Sequence, residues 1–279
     1  MFHNKARRIS LFLAILGLSL FLDSQAHAHE FWIEPLAFHV AKTEKIRANI
    51  RVGQRFKGNA QAYIPDNFRA FSITNRANTR AVTSRVGDLP ALDETPIRDG
   101  LHILSYRSTA TKLVYANYPK FESFVRKHSL DWVLRQHAKR SLSTEAVVEA
   151  YWRYAKSLVS VGTGAGSDRI VGLPFEWVVE TNPYLPKANG KRIRAKLYWQ
   201  GKPLANAQVV VFRRAKGETS RSVLRTNSRG RVTIRQSKGG RFLINAVQMT
   251  EARSATARRT GAVWESYWAS TTYELPIVP

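Results

Sequence analysis

The chain contains no cysteine among its 279 residues. That excludes disulfides and thiolate metal sites, and it leaves packed cores to hold the fold. Acidic residues are scarce: 20 Asp and Glu stand against 44 Lys and Arg, for a formal net charge of +24. A charge of this size sets up a long-range field that favours anionic neighbours. The shortage of carboxylates excludes a low-specificity cation sponge, so any metal needs a dedicated site. No basic run is longer than Arg-Arg or Lys-Arg, which describes a generally basic, solvated surface and not a polybasic arm. Catalytic signatures are missing too. There is no G-x-S-x-G elbow, no H-E-x-x-H and no phosphate loop. The segment "GTGAGS" follows a predicted helix and carries no Lys-Ser/Thr pair, so it reads as a linker. The expectation is a protein that binds and does not catalyse.

Long hydrophobic runs are also lacking, with one exception at the start. Lys5, Arg7 and Arg8 precede an apolar core from Leu11 to Leu22, and Ala26 and Ala28 follow at −3 and −1 of a cleavage site. Twelve apolar residues are too few to span a bilayer, and the three-part layout is that of a secretory signal peptide over residues 1–28. Cleavage after Ala28 makes His29 the first residue of an exported, periplasmic or secreted chain. Export makes nucleic acid an unsuitable partner for the basic surface and favours anionic lipid or polysaccharide.

What is plentiful is aromatic: 7 Trp, 10 Tyr and 13 Phe supply bulk for the cores. Residues 29–117 read as an N-terminal β domain. Ile46, Ala48, Ile50 and Val52 alternate with Arg47, Asn49 and Arg51, the period of a half-buried strand. "AFSITN" and "TRAVTS" suit a hairpin across Arg76-Ala77-Asn78, and the Pro- and Asp-rich "GDLPALDETPIRDG" is a loop. Residues 118–161 read as a helical insertion. In its last part, Val147, Tyr151, Tyr154 and Leu158 recur at spacings of three and four, with Ser143 or Thr144 placed as a cap. Ser129 is a candidate cap for the helix before it, with Asp131 favourable to the dipole. Residues 162–172 are then a linker, and 173–279 carry about seven short strands, which predict an antiparallel sandwich. The fold class is mainly β.

The pieces "GKPLANAQVVVF", "TNSRGRVTI" and "GGRFLINAV" resemble the β-sandwich of transthyretin-like and carboxypeptidase-regulatory domains, with an Ig-like arrangement implied. Together with "AHAHEFWIEP", "FESFVRKHSLDWV", "LPFEWVVETNPY" and "WESYWASTTYE", they make the chain resemble the DUF4198 family of secreted bacterial proteins over residues 26–274. The resemblance implies a link to periplasmic components of nickel or cobalt uptake. Family members carry further histidines at two places that hold Gln54 and Gln248 in this chain, and an amide is a poor ligand for nickel or copper beside imidazole.

A histidine at a free N-terminus offers an amine and an imidazole nitrogen to Cu(II) or Ni(II). His29 is therefore the candidate metal ligand, with His102 on a predicted strand as the second and His39 as the alternative second. A copper oxygenase built on such a terminus lacks any recognisable substrate surface. His128 and His137 read as surface residues. Core packing of the last strand accounts for the aromatics of "WESYWAS", although an exposed stripe there would suit sugars or a partner strand. The expected function is handling of a divalent transition metal (Ni, Co or Cu) as an accessory to an inner- or outer-membrane transporter. The alternative is a non-catalytic structural or adhesion module that docks its basic surface on anionic envelope components.

Overall fold

The computed structural model describes residues 29–185, 192–236 and 238–276; the expected signal peptide lies outside them. The protein is mainly β. A ten-stranded sheet forms its middle layer, running in the order Glu218–Arg225, Gln208–Ala215, Gly240–Glu251, Trp264–Leu275, Val148–Val161, Gly100–Ser108, Phe68–Asn75 and Asn78–Ala81. The short strands His39–Val40 and Thr111–Val114 add to Val148–Val161. The sheet joins residues from both sides of the expected linker, and its two halves meet in a parallel pairing of Val148–Val161 with Trp264–Leu275.

Each face of that sheet is covered, as alternation along Trp264–Leu275 records. Trp264 and Trp268 enter a core with Phe121, Val125 and Val133 of the helices Tyr118–Lys127 and Trp132–Lys139. On the same face, Thr272 donates a hydrogen bond to the Ile33 carbonyl at 2.6 Å. There a small sheet (Glu30–Pro35, Ile46–Gln54, Lys57–Gln61, Leu92–Glu94) packs Phe31, Ile33, Ile46 and Ile50 on Ala155, Val159 and Leu104. Ala269, Tyr273 and Leu275 face the other way. They meet Trp177, Ile193, Leu197 and Val232 of a second small sheet built from Phe175–Val179, Arg192–Trp199, Lys202–Pro203 and Arg231–Arg235. This second layer with the strands opposite it is the C-terminal sandwich.

Four expectations need correction. The stretch predicted as the last helix is instead the strand Val148–Val161. It is covered on both faces, Ala155 and Val159 on one and Tyr154 and Leu158 on the other. A strand buried on both sides reads as a continuous run, not as an alternation, so its apolar residues also fit helical spacing. Ser143 caps nothing there; its hydroxyl accepts from the Glu145 N–H in a local turn. Ser129 caps nothing either: its backbone is left-handed (φ +55°) and its hydroxyl donates to Gln208 at 2.6 Å. Nor does the Gly-rich segment 162–168 hang loose. Thr163 donates to Asp99 through its N–H and hydroxyl, and the Ala165 carbonyl accepts from the Leu101 N–H. The Asn182 amide donates to the carbonyls of Gly164 and Gly166. At Gly164 (φ +61°) a Cβ would lie 2.4 Å from the Ser160 hydroxyl, so close packing requires glycine here.

The turn Asn227–Gly230 joins two strands that do not pair with each other. Glu218–Arg225 is an edge of the large sheet, whereas Arg231–Arg235 is an edge of the second small sheet. The chain crosses between layers at this point and leaves the two edges facing each other.

Candidate functional site

The candidate ligand His29 comes together with neither of its expected second ligands, His102 or the alternative His39. Arg153 lies over the Phe31 ring, and Ile33 is bonded to Thr272, whose strand neighbour is Ser157. The chain from His29 thus advances along the long central strand toward its far end. His39 pairs there with Ser160, and His102 with Val159. Six residues of strand, about 20 Å, separate the Arg153 level from the Val159 level, and His29 lies further back still. His39 and His102 also point to opposite faces, because their partners are consecutive residues of one strand. His102 is fully buried with both ring nitrogens engaged: Nδ1 lies 3.1 Å from the Gly100 carbonyl and Nε2 accepts from the Ile97 N–H at 3.1 Å. Burial holds its pKa below the usual histidine value. The His39 ring stands edge-on to Tyr184 at 4.9 Å. Among the described residues, no cluster of three His, Cys, Asp or Glu side chains is spaced to hold a metal ion.

His128 and His137, expected at the surface, are buried where the helices pack on Trp268 and Trp264 of the last strand. His137 accepts from the Trp264 indole N–H at 3.0 Å, and its other nitrogen lies 3.1 Å from the Ser143 carbonyl. His128 packs edge-on to Trp268; burial, with Lys127 and Arg221 nearby, drives its pKa down to about 3.

A candidate ligand site lies where the two sheet edges face each other. A cleft of about 370 Å³ opens between Gln208–Ala215 and Glu218–Arg225 on one side and Arg231–Arg235 on the other. Arg213, Arg235 and Lys238 supply three cations, and Ser220 and Ser222 supply two hydroxyls. Val211, Ile234 and Phe242 form its floor, and among the described residues no carboxylate lines it. Arg213 is held in place: its Nε donates to the Gly239 carbonyl at 2.8 Å and to the Lys238 carbonyl at 3.3 Å. Strand alternation delivers the set. Ser220 is opposite Arg213 and Ser222 opposite Val211, so these four share the face turned toward the small sheet. The sequence scatters these cations over 26 positions, so no local block announces them. The signal available was the spacing of two between Val211 and Arg213, which puts a cation on the same strand face as a core residue.

A second cleft, of about 530 Å³, lies at the opposite end of the sandwich and differs in chemistry. Trp132, Trp199 and Tyr267 line it with Gln200, Gln248, Glu251 and Glu265. The Tyr267 ring stacks on Trp152 at 5.1 Å and its hydroxyl donates to Glu265 at 2.8 Å. Of the "WESYWAS" aromatics, Trp264 and Trp268 are core and only Tyr267 reaches a cleft.

Comparison with known proteins adds little about activity. No curated protein matches. A solved structure described as a "tetra-tandem repeat in extending region of large adhesion protein" matches at 10% identity and a TM-score of 0.22. That match covers 89% of this chain and 49% of the other, so the chain spans about half the length of the structure it resembles. The family comparison is more direct: residues 26–250 match the model of a domain of unknown function, DUF4198. With most of its length inside that match, the chain belongs to the DUF4198 family.

Proposed function

We propose that this protein is an exported, non-catalytic binding module that holds an acidic polysaccharide of the cell envelope in the basic cleft. One observation carries the reading: Arg213, Arg235, Lys238, Ser220 and Ser222 line a single cleft that no carboxylate of the described residues lines. Cations gathered without counter-charge in a narrow, partly apolar recess focus the field on whatever enters. The recess lies between two layers of strands, a shape that admits a chain of sugars better than a flat bilayer. The rest of the basic surface raises the encounter rate at low salt.

Handling of nickel, cobalt or copper as a transport accessory is the weaker reading. It rests on His29 alone once His39 and His102 are set apart from it, and His102 has no ring lone pair to offer without breaking its bond to Ile97.

The test is titration of the signal-free protein with alginate oligomers, as a representative acidic polysaccharide, and with phosphatidylglycerol vesicles across a salt series. The expected result is saturable binding of the oligomers that weakens as salt rises. Binding of vesicles alone would move the function to lipid. Binding of neither, together with stoichiometric uptake of Ni(II) or Cu(II), would overturn the proposal in favour of metal handling.

A further inference from the structure

A cluster inside the sandwich core plays no part in the cleft. Lys156 is an ammonium-bearing side chain in the interior of the long central strand, and only 1% of its side chain is exposed. Its Nζ lies 2.7 Å from Asp168 Oδ1 and 3.5 Å from Glu176 Oε2, and both carboxyls are as deeply buried as the lysine. The carbonyls of Arg169 (2.8 Å) and Trp177 (2.7 Å) complete the surroundings of Nζ. Asp168 is fixed at both oxygens: Oδ1 accepts from the Arg169 N–H and Oδ2 from the Val179 N–H. Three backbone N–H groups, of Val171, Gly172 and Leu173, clamp Glu176.

Two features set this cluster apart from an ordinary ion pair. Two carboxyls share one cation in a dry interior, where each uncompensated charge is costly. Burial accordingly pushes the Glu176 carboxyl above its usual range, which suits it to hold and return a proton. Next, an amine and a carboxyl are locked in contact with no water between them. Such fixed neighbours react with effective concentrations far above those of free groups.

We propose that Lys156 and Asp168 condense within the folded chain to an isopeptide bond, with Glu176 as the proton carrier. Proton sharing within the cluster gives the neutral amine and the neutral Asp168 acid. The Nζ lone pair forms a bond to Asp168 Cγ, and the C=O π pair moves onto Oδ2, where the Val179 N–H receives the charge. Glu176 takes a proton from Nζ and delivers it to Oδ1. As the carbonyl reforms, the Cγ–Oδ1 bond breaks and Oδ1 departs as water. Ammonium and carboxylate become amide and water, Glu176 ends as it began, and no oxidant or reductant is consumed. The product ties the Gly-rich segment to the central strand and gives a chain without cysteine one covalent staple.

The unreacted ammonium would also be satisfied by Asp168 and the two carbonyls, so the two states must be separated chemically. Trypsin does not cut after an acylated lysine. The full signal-free chain, denatured and digested, is expected to yield Tyr154–Arg169 as one peptide. Its mass should fall short of the sequence by one water, with no backbone fragments between Lys156 and Asp168. Glu176→Gln, which removes the proton carrier, is expected to restore cleavage after Lys156, as is Lys156→Arg. Wild-type protein that is cut into Tyr154–Lys156 and Ser157–Arg169 at full mass would overturn the proposal, whether or not the variants fold. A Glu176→Gln variant that still forms the bond would overturn the role given to Glu176.

Discussion

Arg213 and Arg214 are consecutive residues on one strand, and they belong to opposite worlds. Arg214 points to the face covered by the first small sheet. There Glu34, 4% exposed, gathers the guanidinium groups of Arg51, Arg214 and Arg241. Arg214 also donates to the Phe56 carbonyl at 2.9 Å and lies 4.5 Å over the Phe56 ring. Arg213 points to the other face, into the cleft with Arg235 and Lys238, where no acid of the described residues answers it. The same residue type is therefore structural on one face and free to serve a ligand on the other. What decides between them is a carboxylate from a strand far away in sequence, so a count of basic residues cannot tell binding charge from compensated charge.

The comparison breaks most visibly at Glu34. Replacing it with Leu leaves three guanidinium groups around an apolar side chain, and removal of one partner from a buried ion pair costs about 3–5 kcal/mol. Denaturant unfolding should show that loss as a lower midpoint with an unchanged slope, and a loss under about 1 kcal/mol would mean the cluster is solvated.

A buried carboxyl without cations sharpens the contrast. Glu149 is fully buried and is met only by hydroxyls: Tyr115 donates to it at 2.6 Å, and Ser266 donates to its other oxygen. Burial raises its pKa to about 7. The native state thus holds a proton that the unfolded chain releases near pH 4.5. The stabilisation is complete below pH 4.5 and is lost as pH rises from there through about 7, with roughly 3 kcal/mol at stake. His128 has the opposite slope. Its native pKa is depressed to about 3, so its contribution is present above about pH 6.5 and is lost as pH falls toward 3. Between pH 4.5 and 6.5 the two oppose each other. Glu149→Gln should remove the first, so that stability in this window falls more with acidification than it does in the parent. A variant whose pH profile matches that of the parent would show that Glu149 is ionised in the native state.

Smaller effects are expected on the strand itself. Arg214→Ala should cost about 1.5–3 kcal/mol, the range for charged hydrogen bonds. Arg213→Ala, half-buried and bonded only to two loop carbonyls, should cost under about 1 kcal/mol. Equal losses in thermal melts of the two variants would erase the distinction between the faces.

Much of the frame was legible where one face of a strand is solvated. The alternation from Ile46 to Val52 reads as it folds, with Ile46, Ala48 and Ile50 buried, and the hairpin expected across Arg76-Ala77-Asn78 forms between Phe68–Asn75 and Asn78–Ala81. The central strand was not legible, because burial on both faces erases its period. The histidines show a different limit. His102 does sit on a strand, yet its ring is consumed by Ile97 and Gly100, a few residues away around a turn that spacing does not describe. Of the cleft cations, Arg213 and Arg235 come from strands of separate sheets, and Lys238 comes from the loop after the second of them. Only the crossing of the chain between layers brings them together.

The most direct measurement compares two charge-reversed proteins of equal net charge. Arg213→Glu, Arg235→Glu and Lys238→Glu change the cleft; Lys57→Glu, Lys112→Glu and Lys139→Glu change exposed positions elsewhere. Affinity for alginate oligomers at one fixed salt concentration should fall by at least ~tenfold in the cleft variant, about 1.4 kcal/mol or more, and by far less in the other. Equal losses in both would contradict the account, because the ligand would then be responding to the charge of the whole molecule and not to the cleft.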